Sequence, residues 1–127
     1  MSGRVKLFFD GGCRPNPGRM EIAVVAKGKA MIQDDLGDGS SMDAEWHALI
    51  AAERLARDLG LDHGGYVLLG DAAAVIAQVR GTQRCRGSGD QHLSTLMALT
   101  DGALPPIRYI KRTQNLAGIA LARRNDR

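Results

Sequence analysis

The sequence predicts an α/β domain built on a mixed sheet. Short apolar runs of strand length alternate with longer stretches of helical period. The first three runs follow one another closely, with turn residues between them, and so pair antiparallel. The fourth comes only after a long helical stretch, the spacing of a right-handed crossover that brings a parallel strand beside the first.

With 127 residues and no break in composition, residues 1–127 are expected to form one domain. Lys and Arg number 17 against 14 Asp and Glu, a net charge of +3 that suits a polyanionic partner without requiring one. Aromatic residues make up 4% of the chain, too few for a single-strand binder built on stacking platforms. Cys13 and Cys85 form no zinc or disulfide pattern with each other or with His47, His63 and His92. No apolar run approaches the roughly 18 residues of a membrane span or forms a secretory leader. The expectation is a soluble, cytoplasmic chain with reduced thiols, monomeric by default.

The first strand carries Val5, Leu7, Phe8 and Phe9 and is expected to end at Asp10, because Gly11, Gly12, Pro15, Pro17 and Gly18 interrupt it. Residues 22–26 form the second strand, Lys27-Gly28-Lys29 the turn and residues 30–36 the third. After a polar loop over 35–41, a helix runs from 42 to 59. Ser40 or Ser41 is its N-cap and Gly60 its stop signal. Its apolar stripe is Ala48, Leu49, Ala52, Leu55, Ala56 and Leu59. Counting back by helical turns puts Glu45 on that core-facing side. Residues 66–69 are the fourth strand, ended by Gly70-Asp71, and a helix follows over 72–79. A basic, glycine-rich turn (80–89), a helix (90–99), a strand (107–110) and a helix (114–124) complete the order, with 123–127 a frayed basic tail.

Asp10 and Asp71 then terminate neighbouring strands, and Glu45 faces the sheet from the first turn of the intervening helix. Each has a bland explanation: Asp71 as an N-cap, Glu45 as an acid favoured by the helix dipole. Together they would converge on the edge of the sheet where open α/β folds bind ligands. Three such carboxylates repel unless protons or cations intervene, and hard divalent cations prefer oxygen ligands. A two-metal site of this kind suits in-line attack of water on a phosphodiester.

These residues resemble the type 1 ribonuclease H family, in four segments: FFDGGCRPNPG (8–18), DAEWHALIAAERLA (43–56), LLGDAAAVIAQVRG (68–81) and QNLAGIALA (114–122). The resemblance implies a five-stranded mixed sheet, three antiparallel strands then two parallel, with helices on both faces. It implies Mg²⁺- or Mn²⁺-dependent cleavage of the RNA strand of RNA/DNA hybrids. Asp10, Glu45 and Asp71 match three of the family's four metal-binding acids, and Gly11, Cys13 and Asn16 match the loop that approaches the RNA strand. A 2′-hydroxyl is what such a loop reads to tell RNA from DNA. Arg84 and Arg86 lie on a basic turn with two readings, a solvated charged loop, the commoner case, or a contact to phosphates.

The chain departs from the pattern where the family's last motif carries an acid directly after an alanine. Here Gly118 follows Ala117, so the two-metal site is expected to be incomplete. No histidine stands between Ile110 and Asn115, where some relatives place a catalytic one, and Arg19-Met20-Glu21 replaces a glycine-rich continuation. Two readings follow: an impaired endonuclease working with three acids, or an inactive module that binds hybrid or structured RNA. A protein-interaction domain using the fold alone is a third, weakened by retention of the loop that approaches RNA.

Overall fold

The computed structural model describes residues 3–125. Its strands are β1 (Val5–Cys13), β2 (Gly18–Ala26), β3 (Lys29–Gln33), β4 (Asp38–Gly39), β5 (Tyr66–Gly70) and β6 (Ile107–Tyr109). Its helices are α1 (Ser41–Asp58), α2 (Ala73–Arg80), α3 (Ser88–Leu99) and α4 (Leu116–Asn125), the last preceded by a 3₁₀ turn, Arg112–Gln114. The sheet order is β3-β2-β1-β5-β6, with β4 paired to β2. β1 is antiparallel to β2 and β2 to β3, whereas β1–β5 and β5–β6 are parallel. This is the expected mixed sheet.

Alternation along the strands divides the apolar residues between two layers. Leu7, Phe9, Ile22 and Val24 pack against Trp46, Ala48, Leu49, Val75, Ile76 and Leu96 of α1, α2 and α3. Ala23 and Val25 meet Ala117 and Leu121 of α4 on the opposite face, joined by partly buried Phe8. Asp10 and Glu21 continue this second alternation. No helix among the described residues is long and apolar enough to cross a membrane.

The ends of α1 follow its sequence signals. Ser40 is the N-cap and forms a capping box with Asp43, its Oγ accepting from the Asp43 amide at 3.0 Å. At the other end Gly60 takes a φ of +73°, and the Gly60 and Leu61 amides donate to Arg57 and Ala56 carbonyls at 2.9 and 3.0 Å, a Schellman closure. Ala48, Leu49, Ala52 and Ala56 of the stripe are buried, but Leu59 is 44% exposed because it is the C-cap, beyond the last helical turn.

Three other expectations are corrected. β1 does not stop at Asp10: Gly11, Gly12 and Cys13 stay extended and pair with Ile22, Glu21 and Met20, since a glycine can lie in a ladder and only the proline-bearing loop ends it. Part of the polar loop returns as β4, whose Asp38 and Gly39 pair with Arg19 and Gly18. Arg123, Arg124 and Asn125 belong to α4 rather than to a frayed tail, and Asp126 and Arg127 lie outside the described residues. Arg124 is held by ion pairs to Glu21 (3.4 Å) and Asp34, while Asn125 Nδ2 donates to Glu21 Oε1 at 2.6 Å.

Candidate active site

β1 and β5 run in parallel only as far as the Phe8–Leu69 pair, while β1 itself continues against β2. Asp10 therefore lies just past the last parallel pair, and Asp71 directly follows β5. The close seating of α1 brings Glu45 to the same end. A Cβ added to Gly11 would stand 2.2 Å from the Ala44 carbonyl oxygen and 2.9 Å from the Glu45 amide nitrogen, so only glycine allows this approach.

Asp10 and Glu45 open into one groove of about 240 Å³, whose lining includes Gly12, Arg14, Glu21, Arg112 and Gly118. The Asp10 carboxyl is pushed up from 3.8 to about 6, by burial first and then by the charge of Asp71. Glu45 is pushed up from 4.5 to about 7 by burial and by the charges of Asp10 and Asp71. The Arg112 guanidinium opposes both shifts. Half-buried carboxylates that repel one another favour a bound proton or a cation.

Asp71 is placed differently. It does not cap α2, whose N-cap is Ala72. One oxygen accepts from Asn115 Nδ2 at 2.6 Å, and the other lies 3.6 Å from Arg112 Nη1. Asn115 is fully buried, and its Nδ2 also bonds the Phe9 carbonyl at 3.0 Å while its Oδ1 accepts from the Ala117 amide at 3.1 Å. One side chain thus joins β1, the residue after β5 and the start of α4. Among the described residues, no three His, Cys, Asp or Glu side chains stand close enough to hold a metal ion.

Gly118 faces this arrangement from the first turn of α4. A Cβ there would lie 3.4 Å from Asp10 Oδ2, ordinary contact distance, so a side chain is absent where there is room for one. The donors are hard oxygens of the kind a divalent cation selects, and their raised protonation is relieved by positive charge. In donor chemistry the residues fit such a cation, although only Asp10 and Glu45 of the three acids line the groove.

The loop residues are also placed. Asn16 Oδ1 accepts from the Ser41 amide at 3.0 Å and the Cys13 thiol at 3.5 Å, fastening the β1–β2 loop to the start of α1. Asn16 is exposed and Cys13 buried. Arg84 and Arg86 are exposed on the α2–α3 connection, where with Met42, Gln78 and Gln83 they line a separate concavity of about 390 Å³. The fold does not bring them into the acid groove.

Sequence reasoning missed Glu21 and Arg14 as groove residues and Asn115 as the partner of Asp71. Glu21 carried a signal, since β-alternation from Ala23 and Val25 puts it on the Asp10 face.

No family profile matches the chain. It is 38% identical over 84 residues to Ribonuclease HI of Halobacterium salinarum, a match covering 62% of the chain and 41% of that protein. The chain thus spans about two fifths of the length of this curated relative. The crystal structure of RNase H1 from the same archaeon superposes with a TM-score of 0.80 at 29% identity, over 94% of each chain. In fold alone, the chain also resembles LC11-RNase H1 in complex with an RNA/DNA hybrid, with a TM-score of 0.78 at 22% identity over 89% of each chain. The N-terminal RNase H domain of a Mycobacterium tuberculosis protein gives 0.76 at 23% identity, over 99% of this chain and 100% of that one.

Proposed function

We infer that this chain, a member of the type 1 ribonuclease H family, is a metal-dependent endonuclease that cleaves the RNA strand of RNA/DNA hybrids. The observation that carries this reading is the groove shared by Asp10 and Glu45, two carboxylates raised by burial and by repulsion from neighbouring acids, Asp71 acting on both. Asp10 and Glu45, which share the groove, are the proposed core of the metal-holding and catalytic set, with Asp71, engaged by Asn115 and Arg112, as its proposed third acid. A bound Mg²⁺ or Mn²⁺ supplies charge neutralisation for in-line attack of water on a phosphodiester.

The chain's own residues set the conditions for that step. Asp10 and Glu45 would hold the cation through their carboxylate oxygens, whose burial and crowding disfavour uncompensated negative charge. Asn115 fixes the Asp71 carboxylate, and Arg112 neutralises part of the acids' charge. Arg14 adds a second positive group to the groove, suited to a phosphate oxygen. Gly11 and Cys13 at the end of β1 and Asn16 in the loop that follows are proposed to lie along the RNA strand, and the bond from the Ser41 amide to Asn16 fastens that loop to the start of α1. Arg84 and Arg86, outside the groove, would contact phosphates farther along the duplex.

A second reading, a module that binds hybrid without cutting it, draws on the glycine at 118 and on Asp71 being engaged by Asn115 and Arg112. The deciding experiment incubates end-labelled RNA/DNA hybrid, duplex DNA and duplex RNA with the protein in Mg²⁺ or Mn²⁺, with binding recorded on the same samples. Internal cuts confined to the RNA strand of the hybrid support the nuclease. Binding of hybrid without cleavage in either metal supports the second reading.

A further inference from the structure

The edge of the sheet farthest from β6 is open. All five residues of β3 are exposed, including Met31 at 49% and Ile32 at 41%, and β3 is paired only on its β2 side. Natural edge strands are commonly protected by charge, and this one is bracketed by charges of opposite sign: Lys27 and Lys29 at its start, Asp34 and Asp35 just beyond its end. Two copies meeting antiparallel bring the lysine end of each against the acidic end of the other.

We propose that β3 pairs antiparallel with β3 of a second copy about a two-fold axis at Ile32, so that Lys29 of each copy faces Asp35 of the other. The pleat, the turn and the charges at the two ends of β3 together select this register. Lys29, Met31 and Gln33 pair with Ala26, Val24 and Ile22, and so share the face toward α1. Ala30 and Ile32 pair with Val25 and Ala23, and so share the face toward α4. Residues directly opposite in an antiparallel pair must point to the same face, so the axis passes through a residue and not between two. An axis at Met31 would set Lys27 against Asp35, but Lys27 and Gly28 form the turn, with φ of +52° and +77°, and cannot extend the strand. An axis at Ile32 needs only residues 29–35.

The side chains agree with it. Asp34, on the α4 side of the alternation, is already bound to Arg124, which leaves Asp35 to meet the lysine. Neither Lys29 nor Asp35 enters an ion pair among the described residues, and both are exposed. Met31 then covers Gln33 of the other copy and extends the apolar trough formed with Ile22 and Ala51. No β3 residue lines the acid groove, so pairing leaves it accessible. The result is an isologous dimer with one sheet continuous across its axis.

Sedimentation equilibrium of the full chain from micromolar to millimolar concentration tests this, together with Lys29→Glu, Asp35→Lys and the double variant. Circular dichroism confirms that each variant is folded. The wild type should show a concentration-dependent dimer, and each single reversal, acting twice per dimer, should weaken it by about tenfold or more. The double variant restores opposite charges across the axis and should recover the wild-type dimer. A wild type that stays monomeric to millimolar concentration overturns the proposal. So does a dimer that ignores both single reversals or is not recovered in the double variant.

Discussion

Gly118 stands against Asp10: a Cβ on the glycine would lie 3.4 Å from Asp10 Oδ2, with Asn115 Cβ the next neighbour at 3.9 Å. The position is open to a side chain without displacing backbone. Gly118→Asp therefore returns a carboxylate to the groove from the first turn of α4, where the helix dipole favours it. The expected outcome is faster hybrid cleavage and tighter Mn²⁺ binding by titration calorimetry. No gain in either would show that the missing side chain is not what limits the site.

The same crowding of carboxylates sets a pH dependence. Asp10 and Glu45 are raised from 3.8 to about 6 and from 4.5 to about 7, so the folded chain keeps protons that the unfolded chain has already released. Their contribution to stability is full below about pH 4 and is lost as pH rises through about 6 and 7. His47, lowered by burial and by His92, acts oppositely, losing stability as pH falls below 6.5. The acids' share is isolated as the difference between wild type and Asp10→Asn/Glu45→Gln in urea melts with chelator present. The wild type should lose stability relative to the variant between about pH 4 and 8, with Asp10 contributing on the order of 1 to 3 kcal/mol. A constant difference would contradict the burial and repulsion described above.

Arg112 is the positive charge nearest this group, 3.6 Å from Asp71 and opposing the upward shift of both other acids. Arg112→Met should raise the Asp10 and Glu45 titration midpoints further, as read by carboxyl carbon NMR. Unmoved midpoints would remove Arg112 from the electrostatics of the groove.

Away from the site, Tyr66 Oη donates to both oxygens of fully buried Glu53, at 2.6 and 2.9 Å, and Arg57 Nε adds a third bond at 3.1 Å. Burial of the phenol and the adjacent carboxylate push the Tyr66 hydroxyl well above its usual range. Tyr66→Phe leaves that carboxylate short of partners and should cost about 1 to 3 kcal/mol in urea denaturation, with little effect on metal binding. A neutral change would mean that Glu53 finds other donors.

Much of this was legible in the sequence, for identifiable reasons. Alternating apolar residues, the Lys27-Gly28 turn and the Ser40 and Gly60 caps are local signals, and they located the sheet, the hairpin and α1. What was misplaced or left unread depends on distant partners. β1 runs on through Gly11 and Gly12 because β2 is there to pair with them. Glu53 is buried because Tyr66 and Arg57 satisfy it. The site divides in the same way: the positions of Asp10, Glu45 and Asp71 follow from element order. That Asp71 is turned toward Asn115, and that Glu21 and Arg14 share the groove, depends on how α4 and the loops pack.

The most direct test of the central claim compares wild type with Asp10→Asn on a labelled RNA/DNA hybrid in Mg²⁺ and Mn²⁺, with matching circular dichroism spectra as proof of folding. The expected result is internal cleavage of the RNA strand by the wild type and its loss in the variant. Cleavage that persists undiminished in a folded Asp10→Asn protein would contradict the assignment of this groove as the active site.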